Sequence, residues 1–336
     1  MIRPARRHVL LALLALLLGA CGGLRAPPRV GPGVTPPDAA VEMREDDLFP
    51  VLAPLDRFDP PSPPRPWLGA SVDVVPAVPR EGRAVAIRVV TPRVGRAPLS
   101  VEGRLGEDTP VRFGRLSDGE WLGLAPLAVG ASGTRELVIR MPVAAGDTAT
   151  VRRTIRVEDH RFPSTQLSVA PRYSSPPEEV MERIERERKL IAEALSVVTD
   201  DWLWDGRFTW PRPHRVTSPF GQRRVFNREL RSRHWGLDLG GRTGAPVRAA
   251  ARGRVVLSHH LYYAGNTVFL DHGHGVITGY SHLSEIDVQV GDTVESGQVI
   301  GEVGATGRVT GPHLHWTLRV AGVRLDASSL MEIDVF

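Results

Sequence analysis

One cysteine and one lysine stand in a chain of 336 residues: Cys21 and Lys189. A lone cysteine excludes an internal disulfide framework. It also excludes a zinc site built from several thiolates, so any metal must be held by imidazole and carboxylate. Lysine is nearly absent, and arginine therefore carries the basic charge, with a net charge of +4 and a sequence pI near 9.8. Aromatic residues make up only 6% and do not interleave with the arginines as stacking platforms. DNA or RNA binding is not expected. An apolar run long enough to span a bilayer is also missing, because Val9–Leu18 is too short.

That short run has company. Arg3, Arg6 and Arg7 precede it, and Leu18-Gly19-Ala20-Cys21 closes it. The arrangement resembles a bacterial lipobox, which implies a signal peptide over residues 1–21, cleavage before Cys21 and lipid attachment to it. Gly22 follows rather than Asp, which favours the outer membrane, facing the periplasm. Residues 22–66 read as a tether. Twelve prolines lie between Pro27 and Pro66, and such composition cannot bury enough apolar surface to fold. Extended, it reaches roughly 100 Å at about 3 Å per residue.

The rest reads as all-β with one helix. Alternating runs in residues 67–172, among them Ala84–Val90, Glu136–Met141 and Thr150–Val157, are separated by turns such as Ser117-Asp-Gly119 and Gly130–Gly133. This predicts a small β-sandwich, immunoglobulin-like in the broad sense. Residues 176–200 read as a connecting helix. Ser175 is its expected cap, Val180, Ile184, Ile191 and Leu195 its apolar face, and Glu179/Arg183, Glu182/Arg186 and Glu185/Lys189 its outward pairs. Short, glycine-punctuated strands fill a second domain over 205–336. Eight arginines between Arg207 and Arg233 stand against one acid, Glu229; codon bias in a GC-rich genome is the simpler source of this arginine excess, and attraction to an anionic envelope polymer is the functional reading.

Nine of the eleven histidines fall between His214 and His315. His313 and His315 are two apart in a strand pattern, so both rings share one face. His234 and Asp238 are four apart, which also shares a face. A set of two imidazoles and one carboxylate leaves a tetrahedral zinc with one position for water, the mark of a catalytic site.

The order of fragments carries a resemblance. Ser218-Pro-Phe-Gly-Gln-Arg-Arg224, His234-Trp-Gly-Leu-Asp238, Asp271-His-Gly-His-Gly275, Tyr280-Ser-His-Leu283 and Thr310-Gly-Pro-His-Leu-His315 resemble the LytM/lysostaphin-type zinc metallopeptidases over about residues 212–330. The resemblance implies a barrel-sandwich-like β domain and one zinc per chain. It implies His234, Asp238 and His315 as metal ligands and His282 and His313 as catalytic histidines. It also implies peptidoglycan stem peptides as substrate, with a D-alanyl to diaminopimelate cross-link the expected bond. Which of His282 and His313 is the base stays open. Asp271 is expected to be structural in its turn. His259, His260, His272 and His274 are expected at the solvent or the cleft rim, and Tyr280 in the core or cleft wall. A non-enzymatic LytM-like activator of an amidase is the alternative. A biotinyl- or lipoyl-type hairpin at Gly291–Gly301 is excluded, because the one lysine lies far off in the helix.

Overall fold

The computed structural model describes residues 70–91, 98–107, 109–143, 148–166, 177–213, 215–226 and 229–333. Cys21, the signal segment, the tether and the expected cap Ser175 lie outside them.

Seven antiparallel strands open the described chain: β1 (Ser71–Val75), β2 (Ala84–Val90), β3 (Glu102–Leu105), β4 (Thr109–Ser117), β5 (Glu120–Pro126), β6 (Gly133–Pro142) and β7 (Thr148–Val157). Their order is β1-β2-β5-β4-β3-β6-β7. The two layers are continuous because β4 serves both. Thr109–Arg112 pairs with β3, and Phe113–Ser117 pairs with β5. Val85, Ile87, Val89, Val111, Leu137, Ile139 and Met141 close the core between the layers.

A short strand, β8 (Ser164–Gln166), precedes a 3₁₀ turn at Glu178–Val180 and helix α1 (Met181–Ser196). Ile184, Ile191 and Leu195 are buried as the apolar spacing requires, and so is Glu187. Of the expected outward pairs, Glu182–Arg186 forms at 2.8 Å. Arg183 turns instead to Glu187, and Glu185 to Arg188.

The remaining strands are β9 (Val216–Ser218), β10 (Arg223–Phe226), β11 (Glu229–Arg233), β12 (Leu237–Gly240), β13 (Pro246–Arg248), β14 (Gly253–Leu261), β15 (Gly265–Asp271), β16 (Val276–Ile286), β17 (Thr293–Val294), β18 (Val299–Val303), β19 (His313–Val320) and β20 (Val323–Leu325). The β10–β11 hairpin joins β8 in a three-stranded sheet. The others form a ten-stranded sheet whose central path is β17-β14-β15-β16-β19-β12-β9. Leu314, Trp316, Leu318 and Val320, alternate residues of β19, enter its core together with Leu237, Leu239, Val268, Leu270 and Tyr280.

That core continues into the first sheet. Ala84 and Ala86 of β2 and Leu122 and Leu124 of β5 belong to it, on the face opposite Val85 and Ile87. Asp326 N donates to Gly82 O at 2.7 Å and Ala84 N to Ser329 Oγ at 3.1 Å. α1 packs elsewhere, with Ile191, Ala194 and Leu195 against Leu257, Leu261, Phe269 and Ile277.

Candidate metal centre and active site

The site forms where three adjacent strands bring four residues into register. Asp238 on β12 lies opposite His315 on β19, and Ser281 on β16 lies opposite the other side of His315. The two-residue period of β19 then puts His313 beside them. His234 arrives from the segment just before β12, where Gly236 lets it pass. A Cβ at Gly236 would fall 2.3 Å from His315 Cε1, so only glycine fits.

Three donor atoms converge. His315 Nδ1 is 2.8 Å from Asp238 Oδ1, and His234 Nε2 is 3.1 Å from each of them. All three residues are buried. Two imidazole nitrogens at this distance cannot both aim lone pairs at one point without a proton or cation between them. A nitrogen, nitrogen, oxygen set of this kind fits a zinc ion. Backbone fixes the first ring, because Pro219 O lies 3.0 Å from His234 Nδ1 and so sets the tautomer with Nε2 turned to the other donors. Burial alone would raise the Asp238 carboxyl. Hydrogen bonds and charge from His234 and His315 outweigh it and hold the group well below the usual carboxylate range.

Two more imidazoles flank the donors. The His282 ring lies tilted at centroid distances of 5.0 Å from His313 and 5.7 Å from His315. Its Nδ1 faces Thr306 O at 2.9 Å, and that of His313 faces Gly311 O at 2.8 Å. Each ring therefore keeps Nε2 on the edge away from its carbonyl. His313 Nε2 is 3.6 Å from Asp238 Oδ1. Burial, then the neighbouring His315 and His313 rings, push His282 down to about 3, so it stays neutral. Beyond His315 a small pocket opens between the sheet and α1, lined by Gly279, Thr317, Arg319, Trp235, Phe269 and Leu195.

Comparison with known proteins bears on this arrangement. The model of Peptidase family M23 matches residues 232–327, which contain all five residues. The chain carries an M23 peptidase domain. This domain is 44% identical over 114 residues to the peptidoglycan DD-endopeptidase ShyA of Vibrio cholerae, a match covering 34% of this chain and 26% of that one. It is 43% identical over 108 residues to the DD-carboxypeptidase/endopeptidase Mpg of Neisseria meningitidis, covering 32% and 25%. The chain thus spans only about a quarter of the length of these relatives. A crystal structure from Pseudomonas aeruginosa assigned to peptidase M23 matches more broadly. The TM-score is 0.56 at 27% identity, covering 76% of this chain and 95% of that one. Likeness to that structure therefore extends well beyond the M23 domain.

The other singled-out residues fall in varied places. Asp271 is buried in its turn, accepting from Gly273 N at 2.9 Å and Thr199 Oγ1 at 2.5 Å. Tyr280 is a core residue whose hydroxyl accepts from Ala250 N at 2.9 Å. His259 and His260 are exposed. His272 and His274, expected at the solvent or the rim, are instead buried. The linker around Thr199–Leu203 crosses their turn: His274 N donates to Thr199 O and Leu203 N to His272 O. Of the expected arginine cluster, Arg207, Arg215 and Arg223 are exposed, whereas Arg212 is buried beside Gly241. Sequence reasoning missed Ala264, whose carbonyl accepts from His282 N at 2.9 Å, and Thr306, which faces His282 Nδ1; both act through backbone carbonyls and leave no signal in residue type. It also missed the burial of Glu187, one charge inside the apolar stripe of a helix.

Proposed function

We propose that this protein is a zinc-dependent endopeptidase that hydrolyses peptide cross-links of bacterial peptidoglycan. The observation that carries the proposal is the convergence of His234 Nε2, Asp238 Oδ1 and His315 Nδ1 with two further imidazoles beside them. His234, Asp238 and His315 would hold the metal. A zinc ion held by these three residues would supply Lewis-acid polarisation of a carbonyl and a water of lowered pKa. His282 and His313 handle the proton. Both spend Nδ1–H on a backbone carbonyl, so Nε2 carries the lone pair that would accept a proton from water, and only the ring protonated in that way could then donate to a developing oxyanion. The expected D-alanyl to diaminopimelate bond agrees with the DD-endopeptidase names of the relatives. The activator alternative loses its support, because every donor and both extra imidazoles are in place.

The proposal extends to place. Lipid on Cys21 would anchor the chain at the outer membrane, with residues 22–66 spanning the distance to the wall. Support for that part comes from residues 1–66 of the sequence alone.

The test is zinc content together with release of muropeptides from purified sacculi. Wild type should bind one zinc and release peptide-cleaved products. His315→Ala should lose both. His282→Ala should keep zinc and lose most turnover. A fully active His315→Ala variant would sink the site assignment.

A further inference from the structure

Helix α1 lies outside the segment matched by the family, yet it reaches the site through an unbroken series of contacts. His282 holds a left-handed backbone, φ +66°, a conformation that a non-glycine residue keeps only when its surroundings impose it. Two turns impose it. Ala264 O, in the β14–β15 turn, accepts from His282 N at 2.9 Å. Thr306 O, in the loop after β18, lies 2.9 Å from His282 Nδ1. The turns lock to each other: Arg308 N donates to Tyr263 O at 2.8 Å and Asn266 N to Thr306 Oγ1 at 2.9 Å. They approach so closely that a Cβ at Gly265 would fall 2.2 Å from Thr306 Oγ1.

The β14–β15 turn is in turn tied to the helix. Glu187 Oε2 accepts from Tyr262 N at 2.7 Å, and Glu187 Oε1 accepts from Arg183 Nε at 2.6 Å. Arg183 Nη2 also donates to His260 O at 3.2 Å. Glu187 is 8% exposed. It sits one helical turn from Ile184 and Ile191, where an apolar residue would otherwise cover the sheet. A carboxylate on that stripe costs desolvation, and its two hydrogen bonds offset it.

We infer that Glu187 is a positioning residue for His282. By clamping the Tyr262–Ala264 turn, it fixes the carbonyl that holds the His282 backbone, and so the placement of Nε2 beside the metal donors. The inference rests on the reading of His282 as a catalytic histidine.

The test uses the full chain with Glu187→Leu, Glu187→Gln, Ile191→Ala and His282→Ala. Leucine restores the apolar stripe and removes the clamp. Glu187→Leu should keep the melting temperature and zinc content of wild type, while kcat on cross-linked muropeptides falls about ten- to a hundredfold with KM nearly unchanged. Glu187→Gln still offers an oxygen to Tyr262 N and should recover most of that rate. Ile191→Ala should melt lower and keep its kcat at temperatures well below melting. Wild-type kcat in Glu187→Leu would overturn the inference. So would an equal kcat loss in Ile191→Ala, which would assign the effect to helix packing. An active His282→Ala variant would instead overturn the reading underneath.

Discussion

His272 is a core residue that happens to be titratable. Its Nδ1 faces Arg252 O at 2.8 Å and its Nε2 faces Thr278 Oγ1 at 2.8 Å, and Thr278 Oγ1 is 3.1 Å from the Tyr280 hydroxyl. One neutral tautomer satisfies both ring nitrogens, and burial pushes its pKa from 6.5 down to about 4. The unfolded chain therefore takes up a proton below pH 6.5 that the folded chain refuses until about pH 4. Stability from this residue is complete above pH 6.5, falls between 6.5 and 4, and is level below that. The loss at pH 4.5 is about 2–3 kcal/mol. Urea unfolding at pH 7.5 and 4.5, with chelator to remove any metal contribution, should show wild type losing that much more than His272→Gln. Equal losses would remove His272 from the acid sensitivity of the fold. At this scale the convergence of these side chains was legible because strand periodicity alone faces His313 and His315 the same way, and four residues bring Asp238 into line with His234. The burial of His272 and His274 was not legible. It depends on a linker seventy residues earlier in the chain, which no local pattern connects to the turn.

Elements were easier to foresee than their partners. The apolar spacing foretold Ile184, Ile191 and Leu195 as the buried face of α1, with the fourth expected residue, Val180, only half-buried in the 3₁₀ turn, and the alternation in Thr150–Val157 foretold a strand. Ion pairs on the helix followed less well. Arg183 had a choice between Glu179 and Glu187, and the buried acid that also serves Tyr262 gave the pair a fixed geometry. The split of β4 between two layers was invisible, because both halves read as the same alternating strand. These differences set expectations for mutation. Ile191 is 4% exposed and packs against Leu257, Leu261 and their neighbours. Ile191→Ala should cost about 2–4 kcal/mol in urea unfolding. Glu182→Ala removes an ion pair at the surface, and the change should stay below about 0.5 kcal/mol. If the surface variant cost as much as the core variant, the account of α1 as a helix held by its inner face would fail.

Across the whole molecule, the decisive feature is a core that does not respect the expected boundary between residues 67–172 and 205–336. The run Ala84-Val-Ala-Ile-Arg-Val-Val90, expected to alternate, is in fact apolar at every position but Arg88, as a strand buried on both faces requires. Val85 and Ile87 serve the inner core of the first sheet, while Ala84, Ala86, Leu122 and Leu124 lie in the core of the M23 domain. Arg83 pairs with Glu332 at 2.8 Å along the same seam. A seam built from buried side chains, rather than from a wet polar surface, couples the unfolding of its two sides. Calorimetry should therefore give one endotherm for both. Leu124→Ala, which removes buried volume at the seam and should cost about 2–5 kcal/mol, should move that endotherm down as a unit. Two separated endotherms, with Leu124→Ala shifting only the one that belongs to the first sheet, would show that the domains unfold independently. The same coupling predicts that residues 205–336 made alone will melt below the full chain. That fragment has nothing to cover the apolar surface that Leu122 and Leu124 occupy.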